Sequence, residues 1–558
     1  MKTTIQILIY FFLIFTQLLY SQTEKSFYSI RDSISSKSII QHLYILADDS
    51  LEGRGVGSKG GTIAANYIAN KFNEFSLEKI PNHNSYFQNI PMHGSFPLVT
   101  SELSLASDID TVILNLGQDY FLYRCGQQTF IPDYLPIVFV GYGIVAPEFD
   151  YNDYQSVDVE GKIVVYIDGE PASEDEDYFD GFTPTVYSYS ESKRRIAIGR
   201  GAAGTIQVPI NQYEDWNEII KDFNSEDVTL AYSVSSNLSL IFNKNSADNI
   251  FNSSGYTLED IILMDTQNRM KSFPLKTKLK FKGVFKERDF IAQNVIGMVK
   301  GSDPLQNDSY LIISAHYDHL GIGTSVNGDS IYNGAFDNAI GVSVLLELAK
   351  SFSNLNVKPK RSIIFVATTG EEKGLLGSSY YIDNPVVPLY KTVANVNVDG
   401  IALFKDFKGL VPVGSQYSTL DVLLKQTTEN YGLKIEEIPS QFRSFDAFNK
   451  SDQLAFAIGG IPSILVLEGL SNKSKTKDEV LTCFIDYYLN RYHSPFDDLS
   501  QIIEPQASAN HAKVLFDYCF RLADQIEVPE WKSGSPFINA RLRSIAEKKW
   551  NQNYINIL

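Results

Sequence analysis

Three short apolar segments in the middle of the chain limit what it can fold into. Residues 310–315, 362–367 and 392–398 are apolar and β-branched almost throughout, which is typical of strands covered on both faces of a parallel sheet. Two segments with helical patterns, residues 341–350 and 375–382, separate them. This alternation predicts right-handed crossovers and an α/β fold. We therefore expect a mixed, mostly parallel sheet flanked by helices.

Histidine and acidic residues cluster beside these predicted strands. The group comprises His316, Asp318, Asp337, Glu371, Glu372 and Asp399. Most of them come within a few residues of the carboxyl end of a strand, where open α/β sheets bind their ligands. Imidazole nitrogen and carboxylate oxygen are ordinary zinc ligands, and crowded carboxylates repel each other unless a cation lies among them. Lys373 is the only lysine or arginine directly beside these acids in sequence. The pattern therefore predicts two divalent metal ions that share one carboxylate.

Four segments carry motifs around these residues. They are Gly334-Ala-Phe-Asp337-Asn-Ala-Ile-Gly341, Thr369-Gly-Glu371-Glu372-Lys-Gly-Leu-Leu-Gly377, Asn397-Val-Asp399 and Tyr492-His493-Ser-Pro-Phe-Asp497-Asp498. This set resembles the motifs of the co-catalytic zinc peptidases, a family that includes bacterial leucyl aminopeptidase and glutamate carboxypeptidase. The resemblance covers most of the chain and implies an α/β fold of the zinc aminopeptidase type.

The resemblance also implies a ligand set for two metal ions, with zinc as the expected metal. One ion would be held by His316, Asp337 and Asp399. The other would be held by Asp337, Glu372 and His493. Asp337 would then be the carboxylate that the two ions share.

Two further roles are implied by the same resemblance. Glu371 is implied as the general base, which takes a proton from the attacking water and passes it to the leaving amine. Asp318, two residues after His316, is implied as the acid that orients the His316 imidazole. His319 matches no ligand position of the family, and we interpret it as a neighbour of the site.

Each of these residues also has an ordinary structural explanation when it is taken alone. The pair Glu371-Glu372 is a common dipeptide, and so is an isolated His-x-Asp. A histidine before Ser-Pro, such as His493, is typical of a loop. The combination, with each residue beside a glycine-rich segment or a strand end, favours the metal site.

Composition excludes several classes of protein. Of the 558 residues, 44% are hydrophobic and 13% aromatic, which is enough for large cores and argues against a disordered chain. The formal net charge is −18 and the isoelectric point is near 4.9. Nucleic acid and anionic membrane surfaces would repel such a chain, so neither is expected as its main partner.

The first 22 residues resemble a secretory signal peptide. Lys2 precedes the apolar run Ile5–Phe15, which is too short to span a membrane comfortably, and polar residues follow it. We expect cleavage, with an uncleaved anchor as the alternative, and a secreted or periplasmic protein with no membrane partner afterwards. The cysteines are Cys125, Cys483 and Cys519, which provide no disulfide framework beyond one conceivable Cys483–Cys519 bridge.

The sequence predicts that one domain is split by an insertion. Residues 23–110 and 285–525 are expected to form the catalytic domain, with residues 289–299 as an edge strand. Residues 111–284 contain strand-like segments and resemble the protease-associated domain that is often inserted in these peptidases, so this insert is expected to be β-rich. Residues 526–558 are expected to be an extension that packs against the catalytic domain.

Two residues outside the predicted metal site, Arg54 and Gln453, lie in segments that can be compared with the family. Arg54 lies in a glycine-rich turn that resembles the family, and we expect it to form a structural ion pair with an acidic partner. At Ser451-Asp-Gln453 the chain departs from relatives that have Ser-Asp-His followed by an aromatic residue, which puts the substrate contacts near Gln453 in doubt.

The sequence therefore favours a two-metal exopeptidase that acts on peptides, and an aminopeptidase in particular. Two alternatives remain open. A glutaminyl cyclase has a similar fold but typically keeps one metal ion, and a binding protein on an inactive peptidase scaffold would be expected to have lost ligands. Whether a free amine or a free carboxylate of the substrate is anchored, and the oligomeric state, also stay open.

Overall fold

The chain forms two compact units. The computed structural model describes residues 27–555 except 82, 109, 124–128, 176, 180, 182–183, 211–215, 217–218, 220–225, 235–236, 440–441, 443–445 and 502. The first unit contains the described residues of Met1–Asn89, Gln293–Ile438 and Ser451–Leu558, and the second contains those of Ile90–Ala292 and Pro439–Lys450. The predicted signal peptide and Cys125 lie outside the described residues.

The helices alternate with strands in the first unit and are shorter in the second. In chain order they are α1 (Ser36–Leu46), α2 (Lys59–Glu74), α3 (Ser190–Gly199), α4 (Asp248–Phe251), α5 (Leu258–Thr266), α6 (Ile340–Asn354), α7 (Leu376–Asp383), α8 (Leu420–Glu429), α9 (Gln453–Ile458), α10 (Lys477–Asn490), α11 (Pro505–Asp524) and α12 (Ile538–Ile555). None of the described helices is long and apolar enough to cross a membrane.

The strands lie mostly in two large sheets. In chain order they are β1 (Phe87–Pro97), β2 (Glu102–Ala106), β3 (Thr111–Leu114), β4 (Tyr120–Leu122), β5 (Phe130–Val140), β6 (Val145–Ala146), β7 (Tyr151–Asn152), β8 (Ile163–Ile167), β9 (Gly204–Val208), β10 (Asp227–Leu230), β11 (Leu238–Phe242), β12 (Ser272–Lys282), β13 (Phe285–Val299), β14 (Tyr310–His316), β15 (Gly321–Val326), β16 (Asp329–Tyr332), β17 (Ser362–Thr368), β18 (Thr392–Asn397), β19 (Gly409–Val413), β20 (Lys434–Ile435) and β21 (Ser463–Glu468).

The sheet of the first unit confirms the predicted α/β class. Its central strands run in the order β17, β14, β18, β21, and each pairs in parallel with the next. In the register of β14 and β17, Ile312 lies opposite Ile364. Every residue of β14, β17 and β18 is buried, as expected for strands covered on both faces. Helices α6 and α11 bury apolar side chains in the same core, among them Leu345 and Leu515.

The prediction of an edge strand at residues 289–299 is wrong. These residues belong to β13, which pairs antiparallel with β17 on one side and has β1 as its neighbour on the other. The pattern of β13 explains the error, because its first half is largely exposed and only its second half is buried. A half-exposed strand is typical of an edge, but here β1, from a distant part of the chain, is the second neighbour.

The second unit is rich in strands. Its eight-stranded sheet has the order β3, β2, β12, β5, β8, β9, β11, β4. The strand-like segments expected within residues 111–284 include β5, β8 and β9, which pair in parallel. The domain boundaries predicted at residues 111 and 284 stay predictions, as does the identity of a protease-associated domain.

Residues after 525 make specific contacts within the first unit. The indole Nε1 of Trp531 donates to the Gly460 carbonyl at 3.1 Å, and the Arg541 guanidinium donates to the carbonyls of Leu389 and Thr392 at 3.3 and 3.0 Å. Cys483 and Cys519 are free thiols, so the conceivable bridge between them is not formed.

Arg54 is fully buried and bonds to backbone carbonyls. Its guanidinium donates to the carbonyl oxygens of Tyr317, Leu46, Asn333 and Gly334 at 2.7, 2.6, 2.5 and 2.9 Å. The expected ion pair is therefore replaced by these carbonyls, three of which lie within four residues of His316 or Asp337 in sequence. Burial lowers the pKa of Arg54 to about 10, against the attraction of nearby carboxylates, so the group stays charged at neutral pH.

We expect Arg54→Met to lower the free energy of unfolding by about 3 kcal/mol or more, because four buried carbonyls would lose their donor. Arg54→Lys should lie between this variant and the wild type, since an ammonium group keeps the charge without the planar fork. Arg195→Met, at a site where the side chain is 70% exposed, is the matched control. Urea titrations measure these differences, and a change below about 1 kcal/mol for Arg54→Met would contradict the assigned role.

Candidate metal centre

The predicted ligands lie at the carboxyl edge of the parallel strands. His316 is the last residue of β14, Glu371 follows the end of β17 by three residues, and Asp399 follows the end of β18 by two. Because β14 lies between β17 and β18, the loops after these strands are neighbours in space. The sequence prediction that these side chains share one edge therefore agrees with the structure.

Asp337 stands between two histidines. Its Oδ1 lies 3.2 Å from Nε2 of His316, and its Oδ2 lies 3.5 Å from Nε2 of His493. The same nitrogen of His316 is 3.3 Å from Oδ1 of Asp399. The two oxygens of one carboxylate thus face two different imidazoles, which is the arrangement required of a ligand shared by two cations.

Glu372 also divides its two oxygens between histidines. Its Oε2 lies 3.2 Å from Nε2 of His493, and its Oε1 lies 2.5 Å from Nδ1 of His319. His319, interpreted from the sequence as a neighbour, is therefore in direct contact with a predicted ligand.

Three groups of side chains in the described part of the chain could hold a metal ion. Within each group, the ligand atoms lie within 4.8 Å of one another. They are His316 with Glu371 and Glu372, His316 with Asp337 and Asp399, and His319 with Asp337 and Glu372. Two of these groups share Asp337. Nitrogen and oxygen donors of this kind fit zinc, and burial of so many carboxylates is strongly unfavourable without a cation.

The environment shifts the pKa values of the buried carboxyl groups in opposite directions. Burial raises the pKa of Glu371 well above its ordinary value, although His316 opposes this shift. Burial also acts on Glu372, but His493 and His319 outweigh it and lower the pKa of Glu372 to about 2. For Asp337, burial is outweighed by hydrogen bonds with His316 and His493, which lower its pKa well below the usual range. The histidines thus favour the anions of Asp337 and Glu372, while Glu371 is placed to hold a proton.

Asp318 contacts its neighbours differently from what the resemblance implies. Nδ1 of His316 lies 3.2 Å from the backbone carbonyl oxygen of Asp318 and not at its carboxylate. The carboxylate instead accepts from the backbone amides of Glu371 and Glu372, at 3.2 and 3.4 Å. Burial raises the pKa of Asp318 to about 7. Asp318 therefore orients the imidazole through its backbone and holds the Glu371-Glu372 turn through its side chain.

Asp497 holds the loop that carries Asp337. Its Oδ1 and Oδ2 accept from the backbone amides of Phe336 and Asp337, both at 2.9 Å, and its own carbonyl accepts from the Ala335 amide at 2.9 Å. Tyr487 donates its hydroxyl to the same carboxylate at 3.2 Å. The sequence motif contains Asp497, but its position alone does not show that it binds the amides of a segment 160 residues earlier.

A buried polar chain lies behind Asp399. Ser451 donates its hydroxyl to Oδ2 of Asp399 at 2.5 Å, and Asn397 donates from Nδ2 to the Ser451 hydroxyl at 2.8 Å and to Oε1 of Gln453 at 2.9 Å. Gln453 is fully buried. The departure from the family at this position therefore affects the support of Asp399, through Asn397 and Ser451.

His493 is packed against an aromatic ring. The imidazole stacks on Tyr492 with ring centroids 3.8 Å apart and an angle of 18° between the planes. Its backbone φ is 51°, a left-handed conformation that is uncommon for a residue with a side chain. Such strained positions persist where the surrounding structure fixes them, and they concentrate at functional sites.

Part of the chain matches the sequence model of a peptidase family. Residues 294–519 match the sequence model of peptidase family M28, which confirms the family resemblance drawn from the motifs. Aminopeptidase YwaD of Bacillus subtilis (strain 168) is 27% identical over 212 residues, which cover 38% of this chain and 40% of that protein. The probable glutamate carboxypeptidase VP8 of Zea mays is 28% identical over 190 residues, covering 31% of this chain and 24% of that protein. The chain thus matches less than half of the length of these relatives.

A solved structure shares the fold. The aminopeptidase from Aneurinibacillus sp. strain AM-1 superposes with a TM-score of 0.52 at 18% sequence identity, and the match covers 89% of this chain and 96% of that chain. At this identity the likeness concerns the fold alone.

Glu468, which the sequence analysis did not single out, holds the loop after Asp399. It ends β21, and its Oε2 accepts from the backbone amides of Leu403 and Phe404 at 2.5 and 3.3 Å. Burial raises its pKa from 4.5 to about 8, against the effect of these two hydrogen bonds. A buried glutamate at a strand end gives no sequence signal that separates it from a surface residue.

The raised pKa of Glu468 predicts a pH dependence of stability. The folded protein binds this proton more tightly than the unfolded chain, so the contribution is complete below about pH 4.5 and is lost as the pH rises through about 8. Relative to Glu468→Gln, the unfolding free energy of the wild type should fall by about 2–5 kcal/mol between pH 5 and pH 8.5. Urea titrations across this range measure the difference. Glu429→Gln, at an exposed site on α8, should leave the wild-type pH profile unchanged, and a parallel profile for Glu468→Gln would refute the assignment.

Proposed function

We propose that the protein is a two-metal exopeptidase with aminopeptidase activity, because residues 294–519 match the sequence model of peptidase family M28. The observation that carries the proposal is the placement of Asp337, whose two oxygens face His316 and His493. A carboxylate in this position fits two cations better than one.

The proposed ligand sets follow this geometry. His316, Asp337 and Asp399 would hold one zinc ion, and Asp337, Glu372 and His493 would hold the other. When bound, zinc would polarise the scissile carbonyl and lower the pKa of water. Asp318 and Asp497 support the site by fixing the backbone turns on which Glu371, Glu372 and Asp337 lie.

Glu371 is the proposed general base. It would take a proton from the attacking water and deliver it to the nitrogen of the leaving amine. Two observations support this role. Its side chain lies in the group formed with His316 and Glu372, and its raised pKa makes the ionised carboxylate a stronger base toward water.

The relatives support an aminopeptidase more than a carboxypeptidase, because YwaD matches over a longer segment and a larger share of this chain than VP8 does.

Residues 1–22 support a secreted or periplasmic location with cleavage of a signal peptide. The second unit is proposed to be an inserted protease-associated domain, which its strand-rich composition supports.

The function is tested with two sets of chromogenic substrates. Aminoacyl substrates with a free amino terminus should be hydrolysed, and this activity should be lost after treatment with a chelator and return with zinc. Substrates that offer only a free carboxyl terminus should be hydrolysed slowly or not at all. The reverse preference would replace the aminopeptidase proposal with a carboxypeptidase.

The number of bound metal ions separates the peptidase from its alternatives. About two zinc ions per chain are expected from the shared position of Asp337. One ion per chain would favour a cyclase, and none would favour a binding protein. Elemental analysis of the purified protein together with its protein concentration gives this ratio.

We expect Glu371→Gln to reduce kcat by about 10²–10⁴-fold while both metal ions remain bound, because the amide cannot accept the proton from water. Glu372→Gln is the informative comparison, since it should lower zinc binding as well as turnover. Steady-state kinetics and metal analysis on the same samples distinguish the two effects. Turnover of Glu371→Gln within about threefold of the wild type would remove Glu371 from this role.

A further inference from the structure

His319 touches a predicted metal ligand but has no role in the family pattern. It lies three residues after His316, and its side chain has no exposed surface. Its Nδ1 is 2.5 Å from Oε1 of Glu372. Because an ionised carboxylate can only accept a hydrogen bond, this contact assigns the proton to Nδ1 and makes His319 the donor.

The other oxygen of Glu372 turns toward the proposed second zinc position. Oε2 of Glu372 and Oδ2 of Asp337 lie 3.2 and 3.5 Å from the same atom, Nε2 of His493. These three atoms therefore converge, while the His319 contact falls on the remaining oxygen of Glu372. A hydrogen bond to that oxygen fixes the rotation of the carboxylate about its last bond, which would otherwise be free to turn.

The His319 ring is held in place by packing. Gly334 has a φ of 58°, and a Cβ added there would lie 2.4 Å from Cγ of His319, so only glycine leaves room for the ring. The backbone of His319 forms a bridge with Gly55. Nε2 of the ring is buried and has no hydrogen-bond partner among the described residues. The ring thus makes its one described hydrogen bond from a position that the backbone has fixed.

We propose that His319 is a positioning residue that donates a hydrogen bond from Nδ1 to Oε1 of Glu372 and so directs Oε2 toward the second metal ion. This inference rests on the proposed two-metal function and assigns to His319 a specific part in it. His319 supports Glu372 from outside the ligand set, although its ligand atoms lie within 4.8 Å of those of Asp337 and Glu372. Ligation of a metal ion through the buried Nε2 of His319 would also leave the proton on Nδ1, and it is the alternative outcome that the test below would reveal.

Two variants of similar shape separate the hydrogen bond from the volume of the side chain. His319→Asn places an amide nitrogen close to the position of Nδ1 and keeps a donor. His319→Leu places methyl groups there and removes the donor. Leucine fills much of the same volume, so a difference between the two variants reports the hydrogen bond and not the packing of the ring.

Zinc binding to the metal-free protein is the readout. We expect His319→Leu to weaken the second equivalent of zinc by about 10–100-fold and to leave the first equivalent within about threefold of the wild type. His319→Asn should keep both affinities within about threefold. Calorimetric titration in competition with a chelator measures both equivalents. His42→Asn replaces another buried histidine, which bonds to the Tyr67 hydroxyl, and it should change neither affinity.

Two results would overturn the inference. The first is wild-type affinity for both equivalents in His319→Leu. The second is a loss of the second equivalent in His319→Asn that is as large as in His319→Leu, with an unchanged circular dichroism spectrum, because this would make the imidazole itself a ligand. A wild-type protein that binds two zinc ions but hydrolyses no peptide would refute the proposed function and leave the role of His319 standing. A wild-type protein that binds fewer than two ions would overturn both.

Discussion

The site depends on carboxylates buried within a few ångströms of one another. Such a cluster is stable only where cations and hydrogen-bond donors offset the repulsion and the loss of hydration. Histidines meet Asp337 and Glu372, and the amides of two turns meet the carboxylates of Asp318 and Asp497. Arg54 adds a buried positive charge and ties down the carbonyls beside these turns. The protein therefore arranges charge and backbone dipoles together, and the proposed zinc ions would complete the compensation.

The core of the fold and the grouping of the site were predictable because they rest on short-range patterns. The buried strands β14, β17 and β18 are almost entirely apolar, so their ends could be located to within a residue or two. His316 is the last residue of β14 and Asp399 lies two residues after β18, and parallel strands bring their ends to one edge. The strand β13 shows the limit of this reasoning, since half of it is exposed and its second neighbour, β1, comes from a distant part of the chain.

The supporting residues could not be predicted, because their partners are distant in sequence. Arg54 was expected to meet an acid and meets carbonyls up to 280 residues away. Asp318 was expected to reach His316 through its carboxylate, but the amides of the Glu371-Glu372 turn offer that carboxylate two donors. Gln453 was expected to affect substrate contacts. In the structure it is a buried acceptor for Asn397. In each case the residue type limits the possible partners, and only the three-dimensional arrangement selects among them.

The span of the Arg54 contacts also bears on the order of events during folding. The Arg54 guanidinium joins a turn near the amino terminus to segments that follow the whole of Ile90–Ala292 in sequence. Asp497 joins the loop at Asp337 to a still later part of the chain. Contacts of such high sequence separation form slowly, since a long loop must close before they contribute. The second zinc position, which needs His493, would accordingly mature late, after synthesis has passed residue 497, so a partly made chain would present at most the first of the two proposed positions.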